Sequence, residues 1–120
     1  MRKGTKVAAA VMAGPLLATG VAGAATAIAS VAGADIYGDY DGSGIAIRTS
    51  PHLSATVAGR GSSGQGVQAH CWKYGDYVTI PGSSAQTRAW DYHTNRTTGV
   101  LGFSSVAYLT YVSRAGLAQC

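Results

Sequence analysis

The sequence predicts an all-β domain, a small barrel or sandwich, preceded by a signal peptide. Three observations predict it. Behind the leader, residues alternate in character: Val67, Ala69 and Cys71 against Gln68, His70 and Trp72, Trp90 and Tyr92 against Asp91 and His93, and Ile45 and Ile47 around Ala46. That is the two-residue period of a strand. These runs are short and broken by Gly-, Ser-, Asn- and Asp-rich clusters at 41–44, 59–66, 73–76, 81–84 and 95–99, which is the punctuation of a compact β domain. Finally, 120 residues make one domain at most, and no window after Ala34 shows a helical period.

The leader comes first. Arg2, Lys3 and Lys6 form a positive start, Val7–Ala18 an apolar stretch, and three A-x-A sites follow, ending at Ala22-Gly23-Ala24, Ala27-Ile28-Ala29 and Ala32-Gly33-Ala34. This layout predicts a secretory signal peptide over 1–34, cut after Ala34, and one exported domain over 35–120. A retained membrane anchor is the competing reading, since the uncharged run is long enough to span. It is rich in Ala and Gly, however, and its leucines are only Leu16 and Leu17. Three of the nine cations precede Asp35, and all five acids lie at or beyond it, so the formal charge of +4 belongs mostly to the leader. The domain itself has no Lys/Arg cluster, which argues against a nucleic-acid partner.

Strands are predicted at Ile45–Ile47, Val67–Cys71, Tyr77–Ile80, Trp90–Tyr92, Val100–Leu101 and Leu109–Val112, with a single short turn at Ser104–Ala107. Pro51 lacks an N–H and restricts Ser50, so the first of these strands ends there and a long loop runs from Ser54 to Gly66. Gly102 before Phe103 suits a sharp bend. Val57, Val67, Ala69, Val78, Ile80, Leu101, Phe103, Val106 and Leu109 supply the expected interior. A domain this small buries only about 60–65% of its unfolded surface. Exported domains of this size often add a disulfide, and Cys71 and Cys120 are the only cysteines. Closing that ring is worth about 4 kcal/mol by chain entropy. A catalytic thiol is the alternative, but His70 adjoins Cys71 and faces the other way on a strand. Two cysteines with His52, His70 and His93 match no zinc spacing.

The order of these features resembles that of bacterial SH3 (SH3b) domains. Ile45-Ala46-Ile47-Arg48-Thr49-Ser50-Pro51 resembles their opening, apolar-Asn-apolar-Arg-small-Gly-Pro. Gly102-Phe103-Ser104-Ser105-Val106-Ala107-Tyr108-Leu109 resembles their closing Gly-aromatic-Val-Ser-Asp-Ala-Tyr-Leu. Trp90-Asp91 sits where such domains often carry a strand tryptophan. Cys71 with a C-terminal Cys120 resembles the form found in small exported actinobacterial proteins. Ala46, Ser50, Ser104 and Val106 depart from the pattern. The resemblance covers about Gly44 to Cys120. It implies an SH3-like barrel and a non-catalytic module that recognises cell-wall peptide or another extended extracellular peptide.

No nucleophile elbow, zinc helix, P-loop or carboxylate pair is present, which disfavours an enzyme and calls for no cofactor or metal. Gly59–Gly64 has G-x-G spacing without a strand–helix context and reads as a flexible loop. Asp39 and Asp41 look only faintly like a calcium loop. Asn95-Arg96-Thr97 is a formal glycosylation sequon. The better lead is aromatic: seven tyrosines, two tryptophans and one phenylalanine, all after Ala34. Trp72, Trp90, Tyr92 and Tyr108 are the candidate ligand-binding residues, with Asp91 and Asp76 as polar partners. His70 and His93 are expected to be exposed. The reading predicts a secreted or cell-wall-associated monomer with no membrane contact after the leader is removed. Its rival is a small secreted inhibitor or antimicrobial toxin presenting the loop Ser54–Gly66 or Lys73–Pro81.

Overall fold

A computed structural model describes residues 33–120. Most of the expected leader, residues 1–32, lies outside the described residues. Seven strands run in chain order: β1 Ile36–Tyr40, β2 Ile45–Arg48, β3 Val57–Gly61, β4 Val67–Thr79, β5 Gln86–Asn95, β6 Leu101–Ser105 and β7 Leu109–Tyr111. A 3₁₀ turn, Val106–Tyr108, separates the last two. The strands form one antiparallel sheet in the order β3-β2-β6-β5-β4-β1-β7. The all-β class is therefore as the residue pattern predicts.

The expected closed barrel is not formed, because no ladder joins the two edges, β3 and β7. The seam is crossed by side chains. Asp39 on β1 accepts from the N–H groups of Gly64 and Gly66, at 2.8 and 3.1 Å, in the turn after β3. Ser63 Oγ donates to Tyr40 O at 2.7 Å. These bonds fasten the 62–66 turn where a ladder would otherwise close the sheet. Asp39 is thus occupied by backbone donors, Gly64 foremost with Tyr40 and Gly66 behind it. They hold its carboxyl below the usual carboxylate range against a desolvation effect of opposite sign.

Two strands exceed expectation. β1 pairs Ile36 with Ala69 and Tyr40 with Leu109, and its Tyr40 is 1% exposed. β3 occupies the middle of the segment read as a long loop, pairing Ile45 with Gly61 and Arg48 with Val57. β4 is one strand of 13 residues where two strands and a turn at 73–76 are expected. Register shifts at Ala69/Cys71 and Tyr74/Val78 absorb the irregularity. At the second, the backbone of Gly75 comes so close to Pro51 that an added Cβ would lie 1.9 Å from its carbonyl oxygen. Gly102 is needed for a similar reason: a Cβ there would meet Arg48 O at 2.6 Å, where β6 meets β2.

The interior falls into two clusters. One gathers Tyr40, Ile47, Val67, Ala69, Leu109 and Leu117, and the other Val78, Trp90 and Ala107 with Ile80, Phe103 and Tyr108 against them. Full burial of Ile47 alone is worth about 1.5–3 kcal/mol. Leu101, expected inside, is 46% exposed, since Gly102 and Ser104 take the inward positions of β6. The expected short turn appears one to two residues later, capped by Ser105, whose Oγ accepts from Ala107 N at 3.1 Å.

Cys71 and Cys120 form a disulfide across a sequence separation of 49, as the cysteine count predicts. The tail runs parallel to β4 before it. Trp72 N donates to Ala118 O at 3.0 Å, and Cys120 N donates to Trp72 O at 2.8 Å. It thereby takes up the side of β4 that β1 leaves after Ile36–Ala69. A disulfide is consistent with an extracellular protein.

Candidate functional site

The five residues expected to bind a ligand do not share one surface. β5 sends successive side chains to opposite faces, so Trp90 and Asp91 part company. Trp90 is 2% exposed and its indole N–H donates to Asp76 O at 2.9 Å. Tyr108 follows from the 3₁₀ turn. These two residues line a pocket of about 310 Å³, together with Gly44, Ile45, Ala46, Arg48, Leu53 and Ser105. The sequence reading missed Arg48 and Leu53 as lining residues. Arg48 stood in the opening motif, and Leu53, 51% exposed, is an apolar side chain in a turn where polar ones are usual.

Asp76 assembles the wall. Its N–H donates to Pro51 O at 3.1 Å, its carbonyl takes the Trp90 indole, and its carboxylate accepts from Leu53 N at 2.8 Å and pairs with His52 Nδ1 at 3.1 Å. The Leu53 N–H, then His52, holds the Asp76 carboxyl below its ordinary range. Arg48 Nη1 donates to Ala55 O at 2.9 Å, so it ties the same loop from its other end. The loop 49–56 is therefore fastened at Pro51, Leu53 and Ala55. Arg60 Nη1 donates to Gly44 O at 2.9 Å and fixes the opposite lip.

Trp72, Tyr92 and Asp91 lie elsewhere. Trp72 packs edge-on against Tyr74, ring centres 4.9 Å apart, beside the C-terminal tail. Tyr92 lies between Phe103 and His70, at 5.0 and 6.1 Å. Asp91 faces inward and is 0% exposed. Its carboxylate accepts from the Tyr111 hydroxyl at 2.8 Å and from Arg114 Nε at 3.2 Å, with a second, shorter bond from Arg114 Nη2. It is a buried ionic anchor for the segment after β7, and it corrects the expectation of a ligand-facing carboxylate. The physical reason is the partner supplied by Arg114, without which burying the charge would be prohibitive.

His93 is also corrected. It is 0% exposed, on the same face of β5 as Asp91. Its Nδ1 lies 3.0 Å from Asp91 O, an acceptor, so Nδ1 carries the proton. Nε2 then accepts from the Tyr40 hydroxyl at 3.0 Å. Burial lowers the His93 pKa, opposed by the bond to Asp91 O, and keeps the ring neutral at pH 7. Burial also pushes the Tyr40 hydroxyl up to about 12. Asn95, the third inward residue, is 0% exposed. Its amide donates to Gln65 Oε1 at 3.0 Å and its carbonyl accepts from Thr97 N and Thr98 N at 2.9 and 3.0 Å. The sequon asparagine is thus enclosed and serves its own turn. His70 is half-buried, 2.8 Å from the Thr94 hydroxyl and 3.2 Å from Asp35.

The arrangement offers a concave, mostly apolar surface with one cation in its lining. Among the described residues, no histidine or carboxylate is brought beside a hydroxyl in that pocket to make a nucleophile–base pair. Comparison of the chain with family models, with curated proteins and with solved structures finds no match in any of the three.

Proposed function

We propose that this protein is a secreted, non-catalytic SH3b-like binding module that takes an extended extracellular peptide, a cell-wall peptide foremost, in the pocket between the loop 49–56 and the 3₁₀ turn. The pocket itself carries the reading: Trp90 and Tyr108, two of the candidate aromatics, meet there with Leu53 and Arg48. Its volume and largely apolar lining suit a residue or two of a peptide. Tyr108, half-buried, gives flat contact area at low entropic cost above a floor closed by the buried Trp90, and the wall beside them is fastened at three points. Trp72 and Tyr92 stay outside this site and are left as surface and packing residues.

The rival reading, an inhibitor or toxin acting through a loop, has less to support it. Of the segments it would present, Ser54–Gly66 carries the strand Val57–Gly61 at its centre, and Lys73–Pro81 is strand up to Thr79. The test is retention of the disulfide-bonded protein on purified bacterial cell wall, with Tyr108→Ala alongside. Retention that drops at least fivefold in Tyr108→Ala supports the module. Absence of retention, or equal retention of both, counts against it.

A further inference from the structure

Resting on that reading, we infer that the pocket selects a peptide carboxylate, with Arg48 as its receptor. Arg48 is the one charged residue in the lining. A guanidinium has five N–H donors in a planar fork, matched to the two oxygens of a carboxylate. Among the described residues, one bond is made from it, Nη1 to Ala55 O. Among the described residues, the three ion pairs are His52–Asp76, His70–Asp35 and Arg114–Asp91, and none involves Arg48. A half-buried cation with spare donors in an apolar pocket is complementary to an anionic group from outside.

The neighbouring charges point the same way. Arg60 holds Gly44 at the lip and has no acidic partner among the described residues. Asp76, the carboxylate nearest the wall in sequence and bonding, is taken by Leu53 N and His52. Asp41, in the turn before Gly44, is exposed and pairs with neither arginine. Size narrows the occupant further. About 310 Å³ is at the small end for a ligand site, enough for a residue or two. The carboxylate belongs either to a chain end or to an acidic side chain, and both present the same two oxygens to the fork.

Three acetylated Gly/Ala pentapeptides separate these sources: one with a free C-terminal carboxylate, one amidated, and one amidated with an internal Asp. Each is titrated into the ¹⁵N-labelled, disulfide-bonded protein and followed by amide and Trp90 indole shifts. The free acid should move Gly44, Ala46, Ser105 and the Trp90 indole, and bind at least tenfold more tightly than the neutral amide. Binding by the Asp peptide at the free acid's strength shows that a side-chain carboxylate serves as well as a chain end, and weak binding by it assigns a chain end. Arg48→Gln should bring acid and amide to equal affinity, and Arg48→Lys should retain part of the preference. Because Arg48 also braces Ala55, the acid–amide comparison on the unaltered protein decides the matter even if both variants unfold. Equal affinity of acid and amide at the pocket overturns the carboxylate inference and leaves the peptide pocket standing. No pocket shift with any of the three at millimolar concentration overturns both.

Discussion

The two faces of β5 are built on opposite plans. On one face, Asp91, His93 and Asn95 are wholly enclosed, and each is matched by partners distant in the chain: Arg114 and Tyr111, Tyr40, and Gln65. On the other, Trp90 closes the floor of a pocket while Tyr92 stays half-exposed beside Phe103. The polar face is sealed and the aromatic face is partly open, which inverts the usual order of burial. The lesson is that a small domain can bury polar side chains where each finds a partner, while an aromatic ring such as Tyr92 stays only half-covered.

Breaking the sealed face should have the largest effect. Asp91→Ala strands the Arg114 guanidinium and the Tyr111 hydroxyl, and a broken buried pair costs about 3–5 kcal/mol. Urea unfolding should show that loss, and a loss below about 1 kcal/mol would mean that the face does not depend on its ion pair. The paired change Cys71→Ser with Cys120→Ser should cost about 4 kcal/mol. Since Arg114 sits on the same tail, this loss and that of Asp91→Ala should add up to less than their sum.

His93 gives the next effect, through pH. Its folded pKa lies below the ordinary histidine value of 6.5. Above that value neither the folded nor the unfolded ring holds the proton, and stability is at its full level. As pH falls below it, the unfolded chain takes up a proton that the folded ring refuses. Stability then drops by up to about 1.4 kcal/mol per pH unit until the lowered pKa is reached. Unfolding midpoints between pH 7.5 and 5 should show this slope, and His93→Gln should flatten it. A second loss belongs at lower pH, as Asp39 and Asp35, both held below 3.8, are protonated.

The open face responds to smaller changes. Gly75→Ala forces Pro51 away and shifts the wall that carries Leu53, so peptide binding should weaken severalfold for a stability loss of about 1–3 kcal/mol. Leu53→Ser, at an exposed position, should change stability by less than about 0.5 kcal/mol. Its retention on cell wall should still fall measurably; unchanged retention would remove Leu53 from the site.

Much of this was legible in the residues, and the failures are instructive. The end of β2 before Pro51 follows from the chemistry of proline, and the short turn after β6 from small and apolar residues in sequence. β1 escaped notice because Ile36, Gly38 and Tyr40 alternate through a glycine whose Cβ would strike Tyr111. β3 was hidden by Gly59 and Gly61, which read as loop residues. The pocket joins Arg48, Leu53, Trp90 and Tyr108, four positions that no local pattern connects.

The order of side chains along the chain was enough to determine an all-β domain and its cysteine pairing, because both depend on local alternation and on there being only two thiols. That both faces of β5 are covered at this point was decided by the tertiary structure alone. Alternation places Asp91 and Trp90 on opposite sides but does not say that both are buried. The covering of Asp91 and His93 rests on Arg114, Tyr111 and Tyr40, which reach the strand only once the sheet has curled and the tail has returned.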